Sequence, residues 1–124
     1  MIKTFNIDAF PTGYYMSWFV TTQAAYLVNV KLLDTTTVYF QASKQSANIE
    51  PPLAQGAATI AGNNLQLIVD IPSSSRMDNS LNAFDITNDN GVAVGYGYNI
   101  FIEDATDSDY NDVSIMLVAW KNKG

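Results

Sequence analysis

The residues best suited to chemistry lie in one short acidic segment near the end of the chain. Five of the twelve acidic residues fall within it, and no basic residue lies among them. These five are Glu103, Asp104, Asp107, Asp109 and Asp112. Side-chain oxygens recur at every second position at Asp107, Asp109 and Asn111, and alternate side chains of an extended segment point the same way. A curled loop with this spacing can therefore direct several carboxylates to one point.

Carboxylates that converge in this way need a cation. Two unit charges about 6 Å apart repel by roughly 1 kcal/mol in water and by about 3 kcal/mol at an effective dielectric constant of 20. Calcium, bound by carboxylate, amide and backbone oxygens in a flexible geometry, suits such a loop better than magnesium, which demands a strict octahedron. The chain contains neither cysteine nor histidine, so soft-metal sites built on thiolate or imidazole are excluded. A solvated acidic turn without metal is the alternative interpretation.

The acidic segment is not an EF-hand. Asp107, Asp109 and Asn111 match the first three ligand positions of that loop, but Asp112 stands where glycine is required and Val118 where glutamate is required. The flanking residues also have the pattern of strands and not of helices. A calcium loop of another kind remains.

The overall composition excludes several classes of function. The chain has 124 residues, 12 of them acidic and 6 basic, and its net charge of −6 disfavours a nucleic-acid partner. Without histidine the usual general base is missing, and acids crowded into one loop do not form the opposed pair of a glycosidase, so we expect no enzyme. No apolar run is long enough to span a membrane. The first residues lack the apolar core of a signal peptide, which predicts cytoplasmic synthesis and leaves release or surface association open.

Strand patterns dominate the chain and predict an all-β fold. Short runs rich in β-branched and aromatic residues alternate with turn residues, which is typical of a β-sandwich or a barrel. The predicted strands cover residues 14–20, 26–33, 36–42, 65–71, 81–87, 92–102 and 113–120. Asn90 and Gly91 predict a type I′ hairpin turn, and residues 73–80 are a loop by composition. Residues 43–63 are compatible with a further strand or a helical turn.

Four other residues have two possible roles each. Gly95 and Gly97 alternate with tyrosines, so both lie on one strand face, where they either pack beneath bulky side chains or line a sugar-binding surface. Trp18 and Trp120 lie in apolar strand patterns, and we expect both in the core, with stacking on a sugar as the alternative.

The acidic segment, the apolar strand after it, Trp120 and the final glycine together resemble the two-calcium bacterial lectins that bind fucose and mannose. The length of 124 residues predicts a single domain over residues 1–124, and the resemblance implies that it is an antiparallel β-sandwich of about eight or nine strands, with one or two calcium ions completed by sugar hydroxyls. It implies a homodimer or homotetramer that binds fucose- or mannose-type glycans. It assigns Glu103, Asp107, Asp109, Asn111 and Asp112 to the metal, and Asp104 to a hydrogen bond with the sugar. The carboxylate of Gly124 would reach the metal from a neighbouring subunit.

The chain departs from the family pattern in two places. Thr21 stands where the family supplies an asparagine ligand to the second calcium, and the sugar-specificity loop falls on Thr22, Gln23 and Ala24. The tail after Asp112 is about two residues longer than in the family and carries Lys121 and Lys123. A β-sandwich whose calcium only stabilises a loop, and which serves as a structural or protein-interaction module, is therefore the alternative function.

Overall fold

The computed structural model describes residues 1–104 and 108–124, and these residues form nine β-strands. Asp107 lies outside the described residues, so its predicted role as a ligand stays a prediction. The strands are β1 Ile2–Asn6, β2 Tyr15–Thr22, β3 Ala24–Leu33, β4 Val38–Ser46, β5 Ala54–Thr59, β6 Gln66–Asp70, β7 Asp78–Thr87, β8 Ala93–Glu103 and β9 Val113–Trp120. Within the described part of the chain, no helix is long and apolar enough to cross a membrane.

The nine strands form two antiparallel sheets that enclose one apolar core. The four-stranded sheet has the order β1-β6-β3-β4, and the five-stranded sheet has the order β5-β2-β9-β8-β7. Along each central strand, buried apolar residues alternate with more exposed ones, as a strand with one buried face requires. Leu32 and Leu67 from the first sheet and Ile115 and Leu117 from the second are fully buried. The prediction of an all-β sandwich of eight or nine strands is confirmed.

Several strand segments differ from the sequence prediction, and among them β4 continues to Ser46, four residues past its predicted end at residue 42. Ile2–Asn6 forms β1, which its mixed polar composition did not indicate, and Ala54–Thr59 resolves part of the ambiguous stretch 43–63 as β5. Strand β7 begins at Asp78, although residues 78–80 have loop composition. Each segment pairs with a strongly apolar partner strand, and the paired backbone hydrogen bonds determine its conformation.

The β7–β8 hairpin is present, but its turn is not type I′. Gly91 adopts a positive φ of 76°, whereas the φ of Asn90 is not positive. A type I′ turn needs a positive φ at both of its central residues. The Asn88 side chain explains the difference, because its Oδ1 accepts hydrogen bonds from the amides of Asn90 at 2.9 Å and Val92 at 3.1 Å. The amide of Gly91 donates to the carbonyl of Asn88 at 3.0 Å, which fits a type I turn followed by a left-handed glycine.

Both strand glycines lie beneath bulky side chains. A Cβ atom on Gly97 would lie 2.1 Å from the Phe84 ring, and one on Gly95 would lie 3.2 Å from the Trp120 ring. The packing interpretation of these glycines is therefore confirmed. Trp18 is buried as predicted, but Trp120 is 39% exposed, and its expected place in the core is wrong. The buried face of β9 carries Val113, Ile115, Leu117 and Ala119, so Trp120 falls on the outer face of the strand.

A buried carboxylate secures the loops at the end of the sandwich opposite the acidic segment. Asp34 accepts hydrogen bonds from the amides of Thr36 at 2.8 Å, Thr37 at 2.9 Å and Gly62 at 2.9 Å, and from the Tyr39 hydroxyl. Burial by itself would raise the pKa of Asp34, but these hydrogen bonds outweigh burial and lower the pKa below 3.8.

We expect Asp34→Ala to lower the free energy of unfolding by about 2–4 kcal/mol, because several buried donors lose a charged acceptor. Since the pKa of Asp34 is lowered in the folded state, the charged carboxylate contributes its full stabilisation above the ordinary pKa. This stabilisation is lost as the pH falls through the pKa of the folded state. Urea unfolding of both proteins at neutral pH measures the difference. Equal unfolding midpoints would contradict this role for Asp34.

Candidate metal and ligand site

The acidic segment lies at one end of the sandwich, where three strand ends meet. Strand β8 ends at Glu103, β9 begins at Val113, and Val113 pairs with Thr22 at the end of β2. The amide of Gln23 donates to the carbonyl of Asp112 at 3.1 Å, which holds the β2–β3 turn against the end of the acidic segment. The sheet register therefore brings residues that are about 90 positions apart in sequence to one place.

Three carboxylates converge at this end. Glu103, Asp109 and Asp112 each place one oxygen so that the three oxygens lie within 4.8 Å of one another. Glu103 and Asp112 are buried and Asp109 is exposed, so the cluster has a closed inner side and an open outer side. Among the described residues of the acidic segment, these three therefore direct carboxylate oxygens to one point.

Backbone conformation and hydrogen bonds hold the three carboxylates in place. Ser108 and Tyr110, on either side of Asp109, adopt positive φ values of 59° and 55°, which curl the chain around that residue. The Tyr110 amide donates to Glu103 Oε1 at 3.0 Å, and the Asp104 amide donates to Asp112 Oδ2 at 2.9 Å. The amides thus neutralise part of the negative charge and leave carboxylate oxygens directed at the cluster.

The crowding of acids changes the proton affinity of Asp112. Burial raises the pKa of Asp112 to about 6, and the neighbouring Asp104 carboxylate adds to the rise, although the Asp104 amide opposes it. A bound cation favours the charged carboxylate and would reverse this effect.

Two buried oxygens beside the cluster have no partner. Among the described residues, Thr22 Oγ1 and Asp104 Oδ2 are buried side-chain oxygens without a hydrogen bond. Such groups cost free energy unless a ligand, ion or water satisfies them. Both residues are connected to Asp112: the Asp104 amide donates to its carboxylate, and Thr22 precedes Gln23, which donates to its carbonyl. They are therefore a second indication, outside the cluster of Glu103, Asp109 and Asp112, that a ligand belongs here.

The other predicted site residues have different environments. Thr21 is largely buried and pairs with Ser114, Thr22 is fully buried, and Ala24 is almost fully buried at the start of β3. Gln23 is the one residue between the two strands and is half-buried, as is Asn111. The predicted specificity loop is therefore a one-residue connection between the two sheets, in which Gln23 is the accessible side chain.

Gly124 lies away from the acidic cluster of its own chain. It follows β9 by four residues, and the eight residues of that strand separate Trp120 from the acidic segment by about 25 Å. Lys123 lies with its Nζ 5.1 Å from the centre of the Tyr15 ring, which keeps the tail at the far end of the five-stranded sheet. Any contact between Gly124 and the metal would therefore come from another copy of the chain.

Sequence reasoning missed one residue that contacts the acidic segment. Ser74, in the connection between β6 and β7, donates a hydrogen bond from its hydroxyl to the Asp104 carbonyl at 3.0 Å. Nothing in a run of three serines distinguishes this residue from its neighbours. The contact depends on sheet topology, which places the β6–β7 connection beside the end of β8.

Solved structures with the same fold are bacterial lectins. Neither a protein-family model nor a curated protein sequence matches the chain. The C-terminal domain of the BC2L-C lectin from Burkholderia cenocepacia is 20% identical, with a TM-score of 0.69 over 98% of this chain and 99% of that one. The Chromobacterium violaceum lectin CV2L, solved with α-methyl-fucoside, is 16% identical, with a TM-score of 0.63 over 93% of each chain. The Ralstonia solanacearum high-affinity mannose-binding lectin is 18% identical, with a TM-score of 0.64 over 93% of each chain.

The resemblance predicted from the acidic segment is thereby confirmed for the fold. The chain has the β-sandwich of bacterial lectins, and among these structural neighbours one is named for mannose binding and one was solved with a fucoside. All three neighbours are lectins.

Proposed function

We propose that this protein is a calcium-dependent lectin for fucose- or mannose-type sugars. One observation carries the proposal: Glu103, Asp109 and Asp112 bring carboxylate oxygens within 4.8 Å of one another at one end of a lectin fold. The buried oxygens of Thr22 and Asp104 that have no hydrogen-bond partner support it. The donor set consists entirely of hard oxygen ligands, which fits calcium and does not fit soft metals.

The chain's residues have distinct roles in this proposal. Glu103, Asp109 and Asp112 hold one or two calcium ions, joined by Asp107 and Asn111 as the family resemblance implies. Calcium supplies positive charge that polarises sugar hydroxyls and compensates for their desolvation. Asp104 accepts a hydrogen bond from a sugar hydroxyl, as the family resemblance implies, and Gln23 contacts the sugar from the β2–β3 connection.

Thermal melting in EDTA, in calcium, and in calcium with α-methyl fucoside or α-methyl mannoside tests the proposal. A ligand present at a hundred times its dissociation constant stabilises the folded state by about 2.7 kcal/mol. We expect calcium to raise the melting temperature and sugar to raise it further. No response to calcium would contradict the metal site, and a calcium response without any sugar response would contradict the lectin.

A second candidate function is a calcium-stabilised structural or protein-interaction module. The observation that favours it is the burial of Thr22 and Ala24, which leaves Gln23 as the accessible side chain of the predicted specificity loop. In this alternative, calcium neutralises the carboxylates and stabilises the loop, and sugar does not bind. The melting experiment separates the two functions.

The pH dependence of calcium binding follows from Asp112. Because burial raises the pKa of Asp112 to about 6 and calcium binds the deprotonated carboxylate, calcium affinity should fall as the pH drops through 6. The expected loss is up to about tenfold per pH unit for one proton. In EDTA, folding stability should change with pH in the opposite direction. The folded state binds this proton more tightly than the unfolded state does, so the free energy of unfolding should fall as the pH rises from the ordinary pKa of 3.8 towards 6.

Calcium titrations at several pH values above and below 6 measure this effect. Asp85 and Asp89 are exposed and lie outside the cluster, so the variant Asp89→Asn controls for general changes in surface charge. An affinity that stays constant through pH 6 would show that Asp112 does not bind calcium.

We also propose that two copies associate through the outer face of the five-stranded sheet, here called the apolar face. It is defined by Phe19, Phe84, Met116 and Trp120, which are 39–42% exposed, together with the positions between them. The outward positions of β2 from Tyr15 to Thr21, of β9 from Ser114 to Trp120 and of β8 from Gly95 to Phe101 carry no charged residue. Contiguous exposed apolar surface of this kind is typical of interfaces.

Charge favours a second copy as the partner at the apolar face. Each chain carries a net charge of −6, and an uncharged face lets two acidic chains meet without opposing carboxylates. The basic tail lies at one end of this face and the acidic segment at the other. A two-fold dimer with antiparallel strands would therefore bring Lys121, Lys123 and Gly124 of one copy to the acidic segment of the other. This arrangement supports the predicted contribution of Gly124 to a neighbouring subunit's metal.

A further inference from the structure

The connection between β6 and β7 packs against the acidic segment from the side. It contains three consecutive serines, Ser73, Ser74 and Ser75. The first and third are exposed, whereas Ser74 is 6% exposed. Ser74 therefore has a different environment from the two serines beside it, and its hydrogen-bond partners define that environment.

The Ser74 hydroxyl joins this connection to the acidic segment. Its oxygen lies 3.0 Å from the Asp104 carbonyl oxygen and is also hydrogen-bonded to the Arg76 carbonyl, so its single proton is shared between two acceptors. The same oxygen accepts a hydrogen bond from the Arg76 amide at 3.3 Å. Ser74 is therefore the residue of this connection whose side chain is hydrogen-bonded to Asp104.

The position of Ser74 is determined by the core and not by the acidic segment. Its amide donates to the carbonyl of Ile71 at 3.0 Å, and Ile71 is fully buried. At the other end of the connection Met77 is 3% exposed, and its carbonyl accepts a hydrogen bond from Lys3 Nζ at 3.0 Å. Both ends of the connection are thus anchored before any ligand binds.

The peptide groups on both sides of Asp104 are hydrogen-bonded. Its amide donates to Asp112 Oδ2 at 2.9 Å, and its carbonyl accepts from Ser74. Rotation of the Asp104 backbone would break both bonds together. Ser74 therefore limits the orientation of the Asp104 side chain and, through the amide, the orientation of the Asp112 carboxylate.

We propose that Ser74 is a positioning residue for the cation and ligand site. It holds the Asp104 main chain so that the carboxylates of Asp104 and Asp112 have their binding orientation before the cation arrives. This inference rests on the proposed calcium site. Removing a hydrogen bond that orients metal ligands typically weakens metal affinity by roughly 10–100-fold.

Calcium titration of Ser74→Ala, with Ser73→Ala and Ser75→Ala as matched controls, tests the inference. The three variants remove the same hydroxyl from adjacent serines. We expect Ser74→Ala to weaken calcium binding by roughly 10–100-fold and the two controls to bind like the unsubstituted chain. Ser74→Cys keeps the buried volume but replaces the hydroxyl with a weak donor, and we expect weaker calcium binding for it as well.

Melting temperatures in EDTA and in calcium separate positioning from a merely structural role. A positioning residue changes the increment that calcium adds, whereas a structural residue lowers both melting temperatures equally. Unchanged calcium affinity in Ser74→Ala, or in Ser74→Cys if the alanine variant fails to fold, would overturn the inference and leave the proposed function intact. Absence of calcium binding by the unsubstituted chain would overturn both.

Discussion

Asp109→Ala is expected to abolish the stabilisation of this protein by calcium. Asp109 contributes one of the three converging carboxylates and is the exposed member of the cluster. By the family resemblance it is shared by both proposed ions. Removal of a charged ligand from a site of this kind should weaken calcium binding by at least about a hundredfold, so that the increase in melting temperature disappears at moderate calcium concentrations.

The exposure of Asp109 makes this variant easy to interpret. Its side chain fills no part of the core, so the variant should fold and should melt in EDTA close to the temperature of the unsubstituted chain. Asp89→Ala removes an equally exposed carboxylate from the β7–β8 turn and is the matched control. A normal calcium response in Asp109→Ala would contradict the assignment of the acidic cluster to the metal.

Met116→Glu is expected to convert a dimer into monomers. Met116 lies on the middle strand of the five-stranded sheet, between Phe19 on β2 and Asn99 on β8, at the centre of the apolar face. In a two-fold dimer the new carboxylate would face the uncharged surface of the partner and would lie close to the equivalent carboxylate of the partner. Burying an unpaired charge costs several kcal/mol, and because every 1.4 kcal/mol changes affinity about tenfold, association should weaken by at least about a hundredfold.

Sedimentation velocity measures the oligomeric state of Met116→Glu directly. Gln41→Glu is the matched control, because Gln41 is exposed on the outer face of the four-stranded sheet and the added charge is the same. A dimer that persists in Met116→Glu, or an unsubstituted chain that sediments as a monomer, would contradict association through the apolar face.

The sequence allowed prediction of the elements whose pattern is local. Strand β9 matches residues 113–120 in full because all of its residues except Ser114 are apolar and because it is bounded by a polar loop and the tail. Strand β6 matches 65–71 within one residue at each end. The carboxylates of the acidic segment were predicted to converge because their spacing within one loop is also a local property.

Features that depend on distant partners were not predicted. Strand β1 and the first residues of β7 are polar, and they are strands because β6 and β8 supply hydrogen bonds to them. Trp120 was placed in the core on its apolar character, but the alternation along β9 puts it on the outer face. Because both faces of that strand are apolar, periodicity alone could not identify the buried one.

The candidate site likewise combines features that are local in the sequence with features that depend on distant residues. The buried state of Thr22 and its connection to Asp112 follow from the register between β2 and β9. The bond from Ser74 to the Asp104 carbonyl follows from the sheet topology. The chemistry of the acidic segment could thus be predicted from residue types, whereas the residues that orient it required the three-dimensional structure.

Isothermal titration of α-methyl fucoside and α-methyl mannoside into the protein, once with calcium and once with EDTA, measures directly whether the protein binds sugar and whether that binding needs calcium. We expect saturable binding of at least one sugar in calcium and none in EDTA. We also expect that Asp104→Asn, which removes a carboxylate outside the three-oxygen cluster, weakens sugar binding more than calcium binding. Calcium binding without binding of either sugar would contradict the lectin assignment, and sugar binding that persists in EDTA would contradict the role of the metal.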